Sequence, residues 1–277
     1  MKYKIGDVSR AFSISKNALR YYEDKGIILP VHREGSDYRY YDNEQMHQMG
    51  SLKKLRNLGL SVDEVREFFE GVSFERLCGI LSGRLEEEKR EIRKRQYLAA
   101  RLQEDLSRMK DTASQGKIGF RDLPERWELQ LTSIENLVED RELQKVAPGW
   151  FDSVFPVMNI HRLDLTKVRQ GSFEPFYALC VDIQGAELLG LETASRYIVR
   201  RPAQKCLNLF IRFSLSGEER EGWGYEKQCA QLLKACDARS LTAVDALYFN
   251  IVFVYADLEG GSVVFGDLYL PVEEEEK

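Results

Sequence analysis

The first seventy residues place apolar side chains three and four apart, the spacing of short amphipathic helices. In IGDVSRAF, Ile5, Val8 and Phe12 share one helical face, and SIS then supplies a turn in which Ser15 is suited to cap the next helix. KNALRYYEDKGII begins that second helix, with Ala18 and Leu19 inward and Tyr22 able to face either way. Two short helices so joined predict a helix-turn-helix. EQMHQMGSLKKLRNLGLSVDEVREFFE turns Met46, Met49, Leu52, Leu55 and Leu58 inward, with Gly59 as a stop and Ser61 as the cap of a further helix.

No proline lies between Pro30 and Pro124 and no glycine between Gly83 and Gly116, so RLEEEKREIRKRQYLAARLQEDLSRMK predicts one long helix. Leu85, Ile92, Ala99 and Leu106 recur every seven residues, with Leu81, Leu102 and Met109 in companion positions. Such a seam fits a second copy of the chain or, alternatively, the helix's own domain. After Gln115 the pattern changes to short β-rich segments: RWELQLTS, FYALCVDI, CLNLFIRFSL, LYFNIVFVY and VVFGDLYLPV. Helices are expected near 140–155 and in YEKQCAQLLKACDA. The order strand, helix, two strands occurs twice, which predicts a duplicated antiparallel α+β domain.

Charge sharpens this division. The whole chain carries −5, yet residues 1–60 hold eleven Lys and Arg against seven Asp and Glu, a local +4 that leaves −9 for the rest. A basic head of this kind suits nucleic acid. On its second helix Lys16, Asn17, Arg20 and Tyr21 point away from the core, where Lys and Arg reach phosphates or guanine edges and Asn reads adenine. The hairpin PVHREGSDYRYYD offers Arg33, Tyr38 and Arg39 as a wing along the backbone, while Lys53, Lys54 and Arg56 add cationic charge.

Five cysteines without a CxxC pair argue against a disulfide framework or a zinc knuckle, and no cofactor is expected. The N-terminus lacks the apolar core of a signal peptide, and no run of about 18 apolar residues is present, so the expected setting is cytoplasmic, away from membranes.

YKIGDVSRAFSIS, KNALRYYEDKGII, DYRYYD and LKKLRNLGLSVDEVREFF together resemble the DNA-binding head of MerR-family transcription regulators. Asp37 stands where family members often carry glycine. The resemblance implies a winged helix-turn-helix at 1–75, a coiled-coil dimerisation helix at 76–116, and a homodimer on a palindromic promoter. Activation would come from distorting DNA for RNA polymerase. More weakly, FRDLPERW, RPAQKCLNLFIRF and GDLYLPV resemble the GyrI-like effector domain of the multidrug-responsive, BmrR-like branch, here 117–277.

That domain implies an aromatic, drug-like small-molecule effector, for which Trp150, Tyr177, Tyr197, Phe253, Tyr255 and Tyr269 are the candidate walls. Cation-binding members use a buried Glu where this chain presents Phe253, so Asp182, Asp257 or Asp267 would have to replace it, or stacking alone would select a neutral or zwitterionic ligand. The alternative function is sequestration or hydrolysis of a small molecule, although no acid–base pair or nucleophile triad is evident and the chain does not read as an enzyme.

Overall fold

The structure, a computed structural model, describes residues 2–33, 36–131, 137, 139–153, 157–214, 224–258 and 260–274, with the side chains of 32–38 outside the description. The chain divides into two units, Met1–Glu91 and Ile92–Lys277. The first opens with β1 (Tyr3–Lys4), α1 (Ile5–Phe12) and α2 (Lys16–Asp24). Ser13 turns the chain between the helices with φ 51, and the Ser15 hydroxyl accepts from Ala18 N at 3.1 Å, satisfying one of the unpaired donors of the new helix. A hairpin of β2 (Val31–Arg33) and β3 (Ser36–Tyr41) follows, with β1 completing a three-stranded antiparallel sheet.

Asp42 starts α3 (Asn43–Asn57) and Ser61 starts α4 (Val62–Glu70), each through a reciprocal capping box. Val8, Leu19, Ile28, Met49, Leu52 and Val65 form the shared core. Leu58 is the exception to the predicted apolar stripe: it lies past the last turn of α3 and is exposed. At Gly59, φ is +83, a backbone conformation that favours glycine, and the guanidinium of Arg84 lies over the position that lacks a Cβ.

Helix α5 runs from Phe74 to Lys110 and has no buried residue. Leu81, Leu85, Ile92, Leu102 and Leu106 lie exposed along it, with Ile92 55% exposed. Apolar residues at this spacing on the surface of one chain are a stripe without an intramolecular cover.

The second unit is one antiparallel sheet with helices packed on it. Its elements are β4 (Ile118–Leu123), β5 (Arg126–Leu131), α6 (Leu143–Phe151), β6 (Met158–Asp164), α7 (Leu165–Arg169), β7 (Phe176–Asp182), α8 (Ile183–Leu189), β8 (Ile198–Arg201), β9 (Gln204–Ser214), α9 (Glu226–Asp237), β10 (Leu241–Ala243), β11 (Ala246–Ala256) and β12 (Ser262–Glu274). The strand order is β4-β9-β12-β11-β6-β7-β5-β8, and β10 pairs with β12. The duplication is visible in this order. In each half the first strand and the second strand flank the third, as β5-β7-β6 and β9-β12-β11, and the halves join along β6 and β11.

Alternation along the strands sorts side chains between two faces. On the helix side, α6 and α8 cover Leu129, Leu179 and Val181, while α9 covers Leu209, Leu247, Phe249 and Leu268. On the other face lie Ile160, Ala178, Cys180, Cys206, Tyr248 and Tyr269. His161 points to the helix side, with Nδ1 3.0 Å from the Tyr225 hydroxyl and its ring edge-on to Tyr177. Burial pushes its pKa down to about 4. The neutral form is therefore favoured on folding, and because the unfolded chain binds a proton first, stability falls as pH drops from about 6.5 toward 4. Denaturant melts at pH 7 and 4.5 should show this loss, and His161→Phe should flatten it.

Candidate nucleic-acid interface and effector cavity

The buried Leu19 anchors α2 and turns Lys16, Asn17, Arg20 and Tyr21 outward, all four exposed on one face. Lys25 Nζ sits 5.7 Å from the Tyr21 ring centre, adding positive charge to that face. Arg39 is handled differently: its Nε donates to Glu23 Oε2 at 2.7 Å, and the Tyr41 hydroxyl donates to the other Glu23 oxygen. Glu23 thereby ties β3 to the end of α2, a tie the sequence reading did not include. The side chains of Arg33 and Tyr38 lie outside the described residues. Lys53 donates to the carbonyl of Phe12 at the end of α1 and Arg56 to that of Leu60 in the α3–α4 connection, so these two cations are engaged within the domain, whereas Lys54 is exposed.

In the second unit a cavity of about 350 Å³ is lined by Arg101 and Asp105 of α5, Met158 and Asn159 of β6, and Asn250 and Phe253 of β11. A smaller cleft shares Arg101, Asp105, Met158 and Asn250 and continues to Arg108, Asp267 and Tyr269. Burial pushes the Asp105 carboxyl up, and Asn250 Oδ1 is buried without a hydrogen-bond partner among the described residues. A β-bulge between Ile251 and Phe253 resets the alternation of β11 where Phe253 meets the cavity.

Of the six aromatic candidates, Phe253 and Tyr269 line these spaces. Trp150 does not: it is wholly buried on the inner face of α6, with Nε1 donating to the Glu192 carbonyl at 3.0 Å, so it is a core residue. Tyr177 falls on the helix side because strand alternation puts it with Leu179 and Val181. Tyr197 donates to Asp140 at 2.5 Å and packs on that same core, and Tyr255 is an exposed ring stacked near Phe265.

The three acids proposed to replace the missing Glu are engaged. Asp182 caps α8 and accepts from Tyr97 at 2.7 Å, Asp257 accepts from Gly261 N at 2.8 Å, and Asp267 pairs with Arg108 and accepts from Asn208 at 3.1 Å. Among the described residues no three His, Cys, Asp or Glu gather as a metal site, and no helix is long and apolar enough to cross a membrane.

A winged helix-turn-helix with an outward polar second helix is a DNA-binding class of domain. Residues 3–72 match the model described as MerR HTH family regulatory protein, and the head is a MerR-type domain. It is similar to the HTH-type transcriptional regulator HmrR of Sinorhizobium medicae, 36% identical over 63 residues, which is 23% of this chain and 43% of that one. It is also similar to the HTH-type transcriptional regulator AdhR of Bacillus subtilis, 39% identical over 64 residues, 23% of this chain and 46% of that one. The match thus spans less than half the length of these relatives. Among solved structures, an EcmrR–DNA complex within an RNA polymerase open-complex assembly aligns over 98% of this chain and all of that one, at 13% identity and TM-score 0.37.

Proposed function

We propose that the chain is a ligand-responsive transcription regulator of the BmrR-like branch. It acts in the cytoplasm as a homodimer joined along α5, binds a palindromic promoter, and activates by distorting that promoter for RNA polymerase. The observation that carries the reading is the α2 face, where Lys16, Asn17, Arg20 and Tyr21 are all exposed beside a wing that Glu23 ties to the helix. Backbone contacts spread over two half-sites would supply the energy of bending. The exposed apolar stripe of α5 supports the homodimer, and the cavity bounded by Phe253, with Tyr269 in the adjoining cleft, supports a GyrI-like effector site for an aromatic molecule.

The proposed parts are a head at 1–75, a dimerisation helix at 76–116 and an effector domain at 117–277. The second half of the helix belongs physically with the sheet, since Tyr97 and Arg108 bond to Asp182 and Asp267. Footprinting on the chain's own promoter, with in vitro transcription in the presence of planar dyes and drugs, tests the reading. A protected palindrome and a ligand-dependent change in transcript level are expected, and absence of any protected palindrome overturns it. Arg20→Ala should weaken promoter binding about ten- to a hundredfold without lowering the melting temperature, as loss of a base-edge contact at an exposed position. Lys16→Ala should lower affinity across all sequences and reduce the salt slope by about one.

A further inference from the structure

Asn250 lies in the interior of the sheet, where β11 pairs it with Asp267 of β12 and with Ile160 of β6. Its side chain stands on the same face as Tyr248, opposite the helices, and borders both the effector cavity and the adjoining cleft. The residue is 6% exposed, yet its Oδ1 accepts no hydrogen bond among the described residues. A buried acceptor left unpaired carries its full desolvation cost, whereas a leucine of similar size would carry none. Asn250 therefore presents an unused acceptor to a space that a ligand can fill.

The charged groups around these spaces leave a second acceptor. Arg108 is matched by Asp267, and Arg121 by Glu104, which also lies 3.5 Å from Nη1 of Arg101. Asp182 is held by Tyr97 and by the Gly185 backbone, and Asp122 is exposed to solvent. Asp105, half-buried on α5, has neither an ion pair nor a hydrogen-bond donor among the described residues. Burial pushes its carboxyl up even with Arg101 one turn away, so its charge is short of compensation. Val157, Met158 and Phe253 supply apolar walls, and about 350 Å³ is room for a bicyclic ring with a short side chain.

We infer that the effector site selects a protonated aromatic amine, a primary or secondary ammonium that donates one N–H to Asp105 and another to Asn250 Oδ1 while its ring packs on Met158 and Phe253. The inference rests on the effector reading and narrows it. Positive charge alone does not complete the site, because a quaternary ammonium would leave the Asn250 acceptor unpaired. Neither acceptor is among the acids that the resemblance suggested. Asp105 adjoins Leu106 of the exposed apolar stripe, so a ligand held there ties the sheet to the proposed dimerisation helix.

The test is calorimetric titration of the full-length protein with four probes that share one ring: 1-naphthylmethylammonium, its N,N,N-trimethyl derivative, 1-naphthylmethanol and 1-naphthoate. The primary ammonium should bind about tenfold tighter than either the trimethyl derivative, which has the charge without donors, or the alcohol, which has a donor without the charge; naphthoate should bind weakest. Asp105→Asn should bring the ammonium down to the affinity of the alcohol and leave the alcohol unchanged. Asn250→Leu should abolish the preference for primary over trimethyl ammonium and, without ligand, melt no lower than wild type, since it removes an unpaired acceptor. Should that variant not fold, Asp105→Asn, at a half-buried helix position, decides.

Equal affinity for the primary and trimethyl ammonium, or an undiminished ammonium affinity in Asp105→Asn, overturns the inference; binding of the alcohol in that case leaves the aromatic effector reading standing. No binding of any of the four probes overturns the inference and the effector cavity together. Ammonium-selective binding by a chain that protects no promoter supports this site and overturns the regulator reading.

Discussion

Asp267→Ala is expected to lower the unfolding free energy by about 3–5 kcal/mol, because it strips the counter-charge from a largely buried arginine. The Asp267 side chain is 1% exposed and that of Arg108 17%, so little water can replace the lost partner, and Asn208 loses one of its two acceptors, keeping the Leu268 carbonyl. Urea unfolding should show the midpoint falling with little change in slope. The double variant Arg108→Met/Asp267→Leu should recover most of the loss, since the penalty comes from an unpaired charge. Hydrogen exchange should rise first in 100–110, the part of α5 that this pair holds to the sheet. A loss below about 1 kcal/mol in the single variant would mean the pair is already solvated.

Ile92→Glu should convert the proposed homodimer to a monomer. The side chain is 55% exposed in the single chain, so the substitution leaves each fold intact, but in a seam at seven-residue spacing it would set carboxylates into the apolar contact. Sedimentation equilibrium would report the change in mass. Promoter affinity should fall by about a hundredfold or more in parallel, because a palindrome bound by one head loses the effective concentration of the second. Monomer formation with undiminished promoter affinity would overturn the two-headed reading, and an unchanged mass would overturn the seam.

The head was legible because its signals are local. Ser15, Asp42 and Ser61 each start a helix at positions where a side-chain oxygen meets a free backbone N–H, and Leu19 fixes which face of α2 turns outward. The second unit was legible in topology but less so in its site. β6 was hard to read because both faces of the sheet are covered: Ile160 packs on one side, His161 and Leu163 on the other, so no apolar–polar alternation marks it. Trp150 and Tyr177 are bulky rings, and a ring suited to a ligand is equally suited to a core; burial in a helix decides for Trp150 and strand register for Tyr177. The groups that shape the cavity, Asp105 and Asn250, are ordinary residues in sequence. Their chemistry comes from burial, which long-range pairing creates.

The Glu23 tie between helix and wing makes an evolutionary statement. One carboxylate serves both Arg39 and Tyr41, so a lineage that replaces Glu23 leaves the wing arginine free to seek a phosphate and the tyrosine hydroxyl without its acceptor. Positions 23, 39 and 41 should therefore change as a set. Exchanges on the exposed α2 face, the proposed reading surface, should proceed independently of that set, allowing that surface to diversify on a wing whose attachment stays constant.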